Sequence, residues 1–216
     1  QTEFGIGIFG KIAGEILNIP VCYTYHTMWA DYSHYITPGN LKAVDQAAKK
    51  IIEKISKIYG NSCSELIVPS QKTADALRKY GISNSIHVIP TGLELEAFAL
   101  ENKNQGLVDQ ILQEYHLQDK FTVIFLGRIA TEKSIEILID AMSDIVKKED
   151  KICLMIVGGG PQLEDLKTLV HQKGLESHIF FTGPKESEYV PSFYHAAQLF
   201  VSASVTETQG LTFIEA

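Results

Sequence analysis

From Phe121 onward, short apolar runs rich in β-branched residues alternate with longer stretches of helical spacing, and that alternation leaves few folds open. The spacing predicts strands over 121–126, 151–157, 178–182 and 199–202, separated by helices over 135–148, 162–173 and 188–197, with a last helix opening at 211. Strand followed by helix followed by strand is the pattern of a parallel sheet, because parallel neighbours need a long crossover connection. Such open sheets bind ligands beyond the carboxyl ends of their strands. The residues at those ends are therefore the first candidates for chemistry.

Four strand ends carry informative residues. The first is followed by GRIATEK, which supplies Gly127, Arg128 and Lys133; the second by GGGP, with Gly158 and Gly159, expected as a flexible turn; the third by TGP. The fourth leads into VTETQGLTFIEA, where Gly210 and Leu211 open the final helix between Glu207 and Glu215. Backbone amides at a helix start suit phosphate, and two cations on the same edge are how a diphosphate is held. Carboxylates repel phosphate but accept strong hydrogen bonds from hydroxyls. A ligand with phosphates in its middle and hydroxyls at both ends fits, and a sugar nucleotide is one. Two glutamates eight apart also occur by chance in helical segments, and a triple glycine alone says little.

The earlier part of the chain repeats the pattern on a smaller scale. Strands are predicted over 19–25, 65–68 and 87–89, with helices over 41–59 and 71–80. His26 stands at the end of the first strand, where it is either a site residue or a packing residue, and an aromatic-rich loop containing His34 follows. The opening GIGIFG matches the dinucleotide-binding glycine spacing but lacks a preceding strand and a following acidic strand end, so it reads instead as a helix whose glycines pack on a sheet. Helix 41–59 carries Lys42, Lys49, Lys50, Lys54 and Lys57 opposite its apolar face. That is either a solvated face or one that lies on an anionic membrane surface. Residues 1–92 and 121–216 are thus two sheet-bearing regions, with 93–120 expected as a linker.

Composition narrows the classes of partner. A formal charge of -7 over 216 residues argues against a general nucleic-acid binder. Cys22, Cys63 and Cys153 are widely spaced, and Cys22 and Cys153 lie in apolar runs, which suggests buried, reduced thiols and a cytoplasmic setting. No run is long and apolar enough to span a membrane. The lack of an initiator Met and an end inside a predicted helix point to part of a longer protein, cut at both ends.

FLGRIATEK, IVGGGP and ETQGLTFIE, in this order and spacing, resemble the retaining glycosyltransferases of family 4. The resemblance covers essentially the whole chain and implies an α/β fold of GT-B type, in which two Rossmann-like domains with parallel sheets face each other across a cleft. YHTMWADYSHYI and TETQGLTFIEA look most like the bacterial enzymes that glucosylate diacylglycerol. By position, the resemblance implies that Arg128 and Lys133 neutralise the donor diphosphate. Glu215 would hold the ribose hydroxyls and Glu207 those of the transferred sugar, and the amides of Gly210 and Leu211 would bind phosphate. His26 would orient the reacting centre. It further implies a retaining hexosyltransferase using a UDP-sugar, UDP-glucose above all, on a lipid acceptor at the inner face of the cell membrane. No cofactor is required; magnesium is possible but not indicated, since no Asp-x-Asp motif is present. Many members have glycine where this chain has Ser134, which is expected to cap the next helix. A family 4 transferase with a soluble acceptor, a non-catalytic nucleotide-sugar-binding module and a nicotinamide oxidoreductase are the alternatives.

Overall fold

The computed structural model describes residues 6–30 and 42–216, so the loop with His34 lies outside the described residues. The chain divides into two compact units: residues 1–92 with Thr206–Gln209, and Leu93–Val205 with Gly210–Ala216. Each is built on a parallel sheet.

The first unit holds α1 (Ile6–Leu17), β1 (Cys22–Thr24), α2 (Lys42–Ser62), β2 (Glu65–Val68), α3 (Gln71–Lys79) and β3 (Ile86–Val88), with strand order β1-β2-β3. Its core gathers Tyr23, Tyr25, Leu66, Val68, Leu77 and Ile82. Of the GIGIFG segment, residues 6–10 are helical, in α1. Only part of the expected glycine packing is present: Gly10 faces open space, whereas a Cβ on Gly14 would come 2.3 Å from Val21. Cys63 is buried but Cys22 is exposed, because β1 is an edge strand and its alternation turns Cys22 outward.

The second unit carries α4 (Gln105–Glu114), β4 (Phe121–Leu126), α5 (Ile135–Ile145), β5 (Ile152–Val157), α6 (Leu163–Lys173), β6 (Ile179–Gly183), α7 (Val190–His195), β7 (Leu199–Phe200) and α8 (Leu211–Glu215). Its sheet runs β6-β5-β4-β7, all parallel. The middle strand β5 reads ICLMIV without alternation because helices cover both of its faces. Leu154 and Ile156 join the core made with α5 and α6; Cys153, Met155 and Val157 join the one made with α4 and α7.

The stretch 93–120 is not a linker in this structure. Val108 and Ile111 of α4 and Leu117 after it are buried in the second core, against Phe193 and Tyr194 of α7. The polar residues at 101–106 lead into a helix start: the Asn104 side chain accepts a 3.1 Å bond from the Leu107 amide, satisfying an end donor of α4.

Candidate active site

The strand order decides where ligands can bind in the second unit. With β6 and β5 on one side of β4 and β7 on the other, the chain reverses direction across the sheet between β4 and β7, and the crevice of a doubly wound sheet opens there. Strand β4 is followed directly by 127–134, and β7 leads through residues 201–209 to Gly210 and α8. Arg128 and Lys133 therefore come from one lip of the switch point, and Leu211 and Glu215 from the other.

Segment 127–134 is held rigidly. Ile129 and Ala130 are fully buried; the Ile129 amide donates to the Gly159 carbonyl at 2.9 Å, and the Ile129 carbonyl accepts from the Gln162 amide at 3.2 Å. Arg128 is exposed beside this anchor and Lys133 is half-buried at the end of the turn Thr131–Lys133. Glu132, which the sequence reading passed over, is buried between them, and its backbone carbonyl accepts from the Ser204 hydroxyl. Ser134 does not cap α5. It sits in the left-handed region at φ 50°, ψ 43°, and its side chain makes no capping bond. Glycine adopts that conformation without strain, which accounts physically for glycine at this point of the motif.

GGGP is a rigid contact, not a flexible turn. The Gly127 amide donates to Val157 and the Gly158 amide to Gly183, lacing the ends of β4, β5 and β6 together. A Cβ on Gly158 would lie 1.9 Å from the Gly127 carbonyl oxygen, and one on Gly160 would lie 2.1 Å from that of Ile129. Glycine is required because two backbones touch. Gly159 has room, its absent Cβ facing Pro184 at 3.4 Å. A cavity of about 270 Å³ opens over these loops, lined in part by Gly127, Arg128, Gly158, Gly159, Pro184 and Lys185. Lys185 adds a third cation at a strand end, its ammonium 5.2 Å from the Phe193 ring centre. Its place after β6 was the same signal that picked out Arg128.

On the other lip, Gly210 is buried at φ 73° and α8 follows for five residues. So short a helix offers its first amides to a ligand more than a developed dipole. Glu215 is half-buried, and its Oε2 accepts a 3.1 Å bond from the Tyr194 hydroxyl, which also lies 3.2 Å from the Thr212 carbonyl. Burial of Tyr194, with the Glu215 charge and hydrogen bond adding to it, pushes the phenol well above its ordinary range.

In the first unit, considered by itself, His26 is exposed just after β1 and Glu207 is half-buried. The backbone around Glu207 is tied down at several points. Lys72 donates to the Glu207 carbonyl at 3.0 Å, and Ser70 donates to that of Thr208. The Gln209 amide group exchanges two bonds with the Thr91 backbone, at 2.8 and 3.1 Å. These supports were not visible in the sequence, being far from Glu207 along the chain.

Along α2, Val44, Ile51 and Ile58 recur every seven residues and are 45%, 60% and 53% exposed, forming one apolar stripe. Lys50, Lys54 and Lys57 lie exposed beside it at i, i+4 and i+7. Lys49 instead pairs with Asp45 at 3.2 Å, and the Lys57 side chain passes over Gly81. The side chain of Lys42 is outside the described residues. Among the described residues no helix is long and apolar enough to cross a membrane, and no cluster of metal-ligating side chains is present.

Comparison with known proteins decides the family. The model for glycosyl transferases group 1 matches residues 109–216, and that for glycosyltransferase family 4 matches residues 1–97. The chain belongs to the group 1 glycosyltransferase family. Among its curated relatives in that family is the alpha-monoglucosyldiacylglycerol synthase of Streptococcus pneumoniae, 35% identical across the whole chain and 48% of the relative. The protein of the same name from Acholeplasma laidlawii is 33% identical across the whole chain and 54% of the relative. This group 1 chain thus spans about half the length of these curated relatives. HepE of Anabaena, solved in complex with UDP-glucose, superposes with a TM-score of 0.75 at 21% identity, over 97% of this chain and 54% of that one. The fold shared with such neighbours is the GT-B type.

Proposed function

We propose that the protein is a retaining glucosyltransferase that moves glucose from UDP-glucose to a hydroxyl of diacylglycerol, or of an already glucosylated diacylglycerol. The observation that carries the donor reading is the strand order β6-β5-β4-β7. It brings the loop with Arg128 and Lys133 and the helix start with Gly210 and Leu211 to the two lips of one switch point. In this reading Arg128 and Lys133 neutralise the diphosphate, the two amides bind its oxygens, and Gly127, Gly158 and Gly159 keep the floor narrow. Glu215 accepts from the ribose hydroxyls and Glu207 from those of glucose, while His26 orients the reacting centre. The bond from the anomeric carbon to the diphosphate breaks, and the new bond to the acceptor oxygen forms on the same face of the sugar. The acceptor's proton passes to the departing diphosphate. The cations then stabilise charge as it develops on the leaving group, the kind of interaction that accelerates the step.

The lipid acceptor is supported by the names of the two relatives and by the surface of α2. Its apolar stripe beside Lys50 and Lys54 has the shape of a helix lying in the plane of an anionic membrane, here the inner face of the cell membrane. The test is product analysis with labelled UDP-glucose and the full-length protein. Label extracted into the organic phase only when diacylglycerol vesicles are present is the expected result. Label that stays in water in transferred form points to a soluble acceptor, and nucleotide binding without transfer points to a non-catalytic module.

A further inference from the structure

Glu215 is poorly fixed by its own backbone. It is the last residue of a five-residue helix, and a glutamate there has several rotamers to choose from. A carboxylate that must meet two hydroxyls of a ribose needs a defined direction, so some other group has to supply it. The surroundings of Glu215 contain one such group.

Tyr194 comes from α7, is 8% exposed, and is clamped by aromatic rings. Phe98 lies at 5.7 Å with an interplanar angle of 65°, and Phe200 at 5.9 Å and 54°. Phe200 in turn meets Phe213 of α8 at 5.1 Å and 85°. The ring cannot swing without disturbing that stack, so the position of its hydroxyl is set by the core. The hydroxyl has one hydrogen to give and two acceptors in reach, Glu215 Oε2 and the Thr212 carbonyl, both belonging to α8. Whichever of the two takes the hydrogen, the bond ties α8 to the core, and the charged carboxylate is the stronger acceptor. With Oε2 held from the protein side, the remaining acceptor directions of the carboxylate are aimed for donors arriving from a ligand.

We infer that Tyr194 is a positioning residue that orients the Glu215 carboxylate toward the ribose hydroxyls of the donor nucleotide. The inference rests on the assignment of Glu215 to the ribose made above. Tyr194 does not touch the sugar; it acts through Glu215, and the aromatic stack from Phe98 to Phe213 is the support that makes the hydroxyl a fixed point.

The experiment compares UDP with 2′,3′-dideoxy-UDP by calorimetric titration, for the unaltered protein, Tyr194→Phe and Glu215→Gln. Removing the hydroxyls is expected to weaken binding to the unaltered protein by about tenfold or more, the scale of hydrogen bonds to a charged acceptor. Tyr194→Phe is expected to weaken UDP by about tenfold while leaving the dideoxy compound within twofold of its original affinity, so that discrimination collapses. In the Glu215→Gln background the tyrosine change should add little. A Tyr194→Phe protein that discriminates as well as the original overturns the positioning role. An unaltered protein that binds both nucleotides equally instead overturns the assignment of Glu215 to the ribose, and the inference with it. Equal weakening of both nucleotides by Tyr194→Phe shows a packing role alone and also overturns the inference.

Discussion

The tightest place in the second unit is where Gly158 meets Gly127, and its replacement by alanine tests the account of the loop floor. Two costs apply. Gly158 has φ +140°, a conformation that L side chains rarely adopt, worth about 1–3 kcal/mol of backbone strain. A Cβ would also lie 1.9 Å from the Gly127 carbonyl oxygen, and because backbone forms both sides of the contact the loops must separate by about an ångström, worth another 1–3 kcal/mol. The sum, about 2–6 kcal/mol, is a large part of the 5–15 kcal/mol that holds a typical domain folded. Gly160→Ala carries the contact cost without the positive φ, with 2.1 Å to the Ile129 carbonyl oxygen, and should lose about 1–3 kcal/mol. Gly159→Ala meets only the edge of Pro184 at 3.4 Å and should lose about 0.5 kcal/mol or less. Urea unfolding of the three variants, read by circular dichroism, measures all of this in one series. The expected order of loss is Gly158 above Gly160 above Gly159, with the Gly158 variant melting on the order of 10 °C lower. A Gly158→Ala protein as stable as Gly159→Ala refutes the claim that backbone contact requires these glycines.

Other outcomes follow from particular groups. Glu207→Gln should lower turnover by about 100- to 1,000-fold, as loss of one transition-state partner does, while UDP affinity measured by titration changes less than about threefold. Replacing Lys50 and Lys54 with glutamine should weaken sedimentation with phosphatidylglycerol vesicles by about 30-fold at low salt, from about 1 kcal/mol per lysine, and leave binding to neutral vesicles unchanged. Ser134→Gly should leave urea stability equal or up to about 1 kcal/mol higher, since relief of left-handed strain outweighs the added freedom of the unfolded chain. Burial, with Glu114 adding to it, pushes Tyr115 up to about 12, whereas the unfolded phenol titrates near 10. A raised tyrosine value means stability that is complete below pH 10 and is lost as the pH rises toward 12; Tyr115→Phe should flatten that fall in urea midpoints.

Much of the second sheet was readable because period and length agree there. The runs at 121–126 and 151–157 are apolar but for Thr122 and Lys151, which fits strands buried on both faces, and the structure begins and ends them within one residue of the expected bounds. The strand ends then pointed to Arg128 and Lys133 without any knowledge of contacts. What the sequence hid was of four kinds. Backbone contact is invisible in letters, so GGGP read as mobile when its glycines mark close approach. A short helix in polar surroundings was read as linker, although Asn104 followed by Val108 and Ile111 was a cap and an apolar face. Long-range partners such as Tyr194 for Glu215, Lys72 for Glu207, or Thr91 for Gln209 lie too far apart in the chain for spacing to suggest them. Ser134 failed as a cap because its backbone is left-handed, a geometry that needs coordinates to see.

The central claim is that a diphosphate sits at the switch point between β4 and β7. A crystal structure of the protein with UDP measures it most directly. The account predicts phosphate oxygens within hydrogen-bonding distance of Arg128, Lys133 and the amides of Gly210 and Leu211; a nucleotide whose phosphates lie away from all four contradicts it.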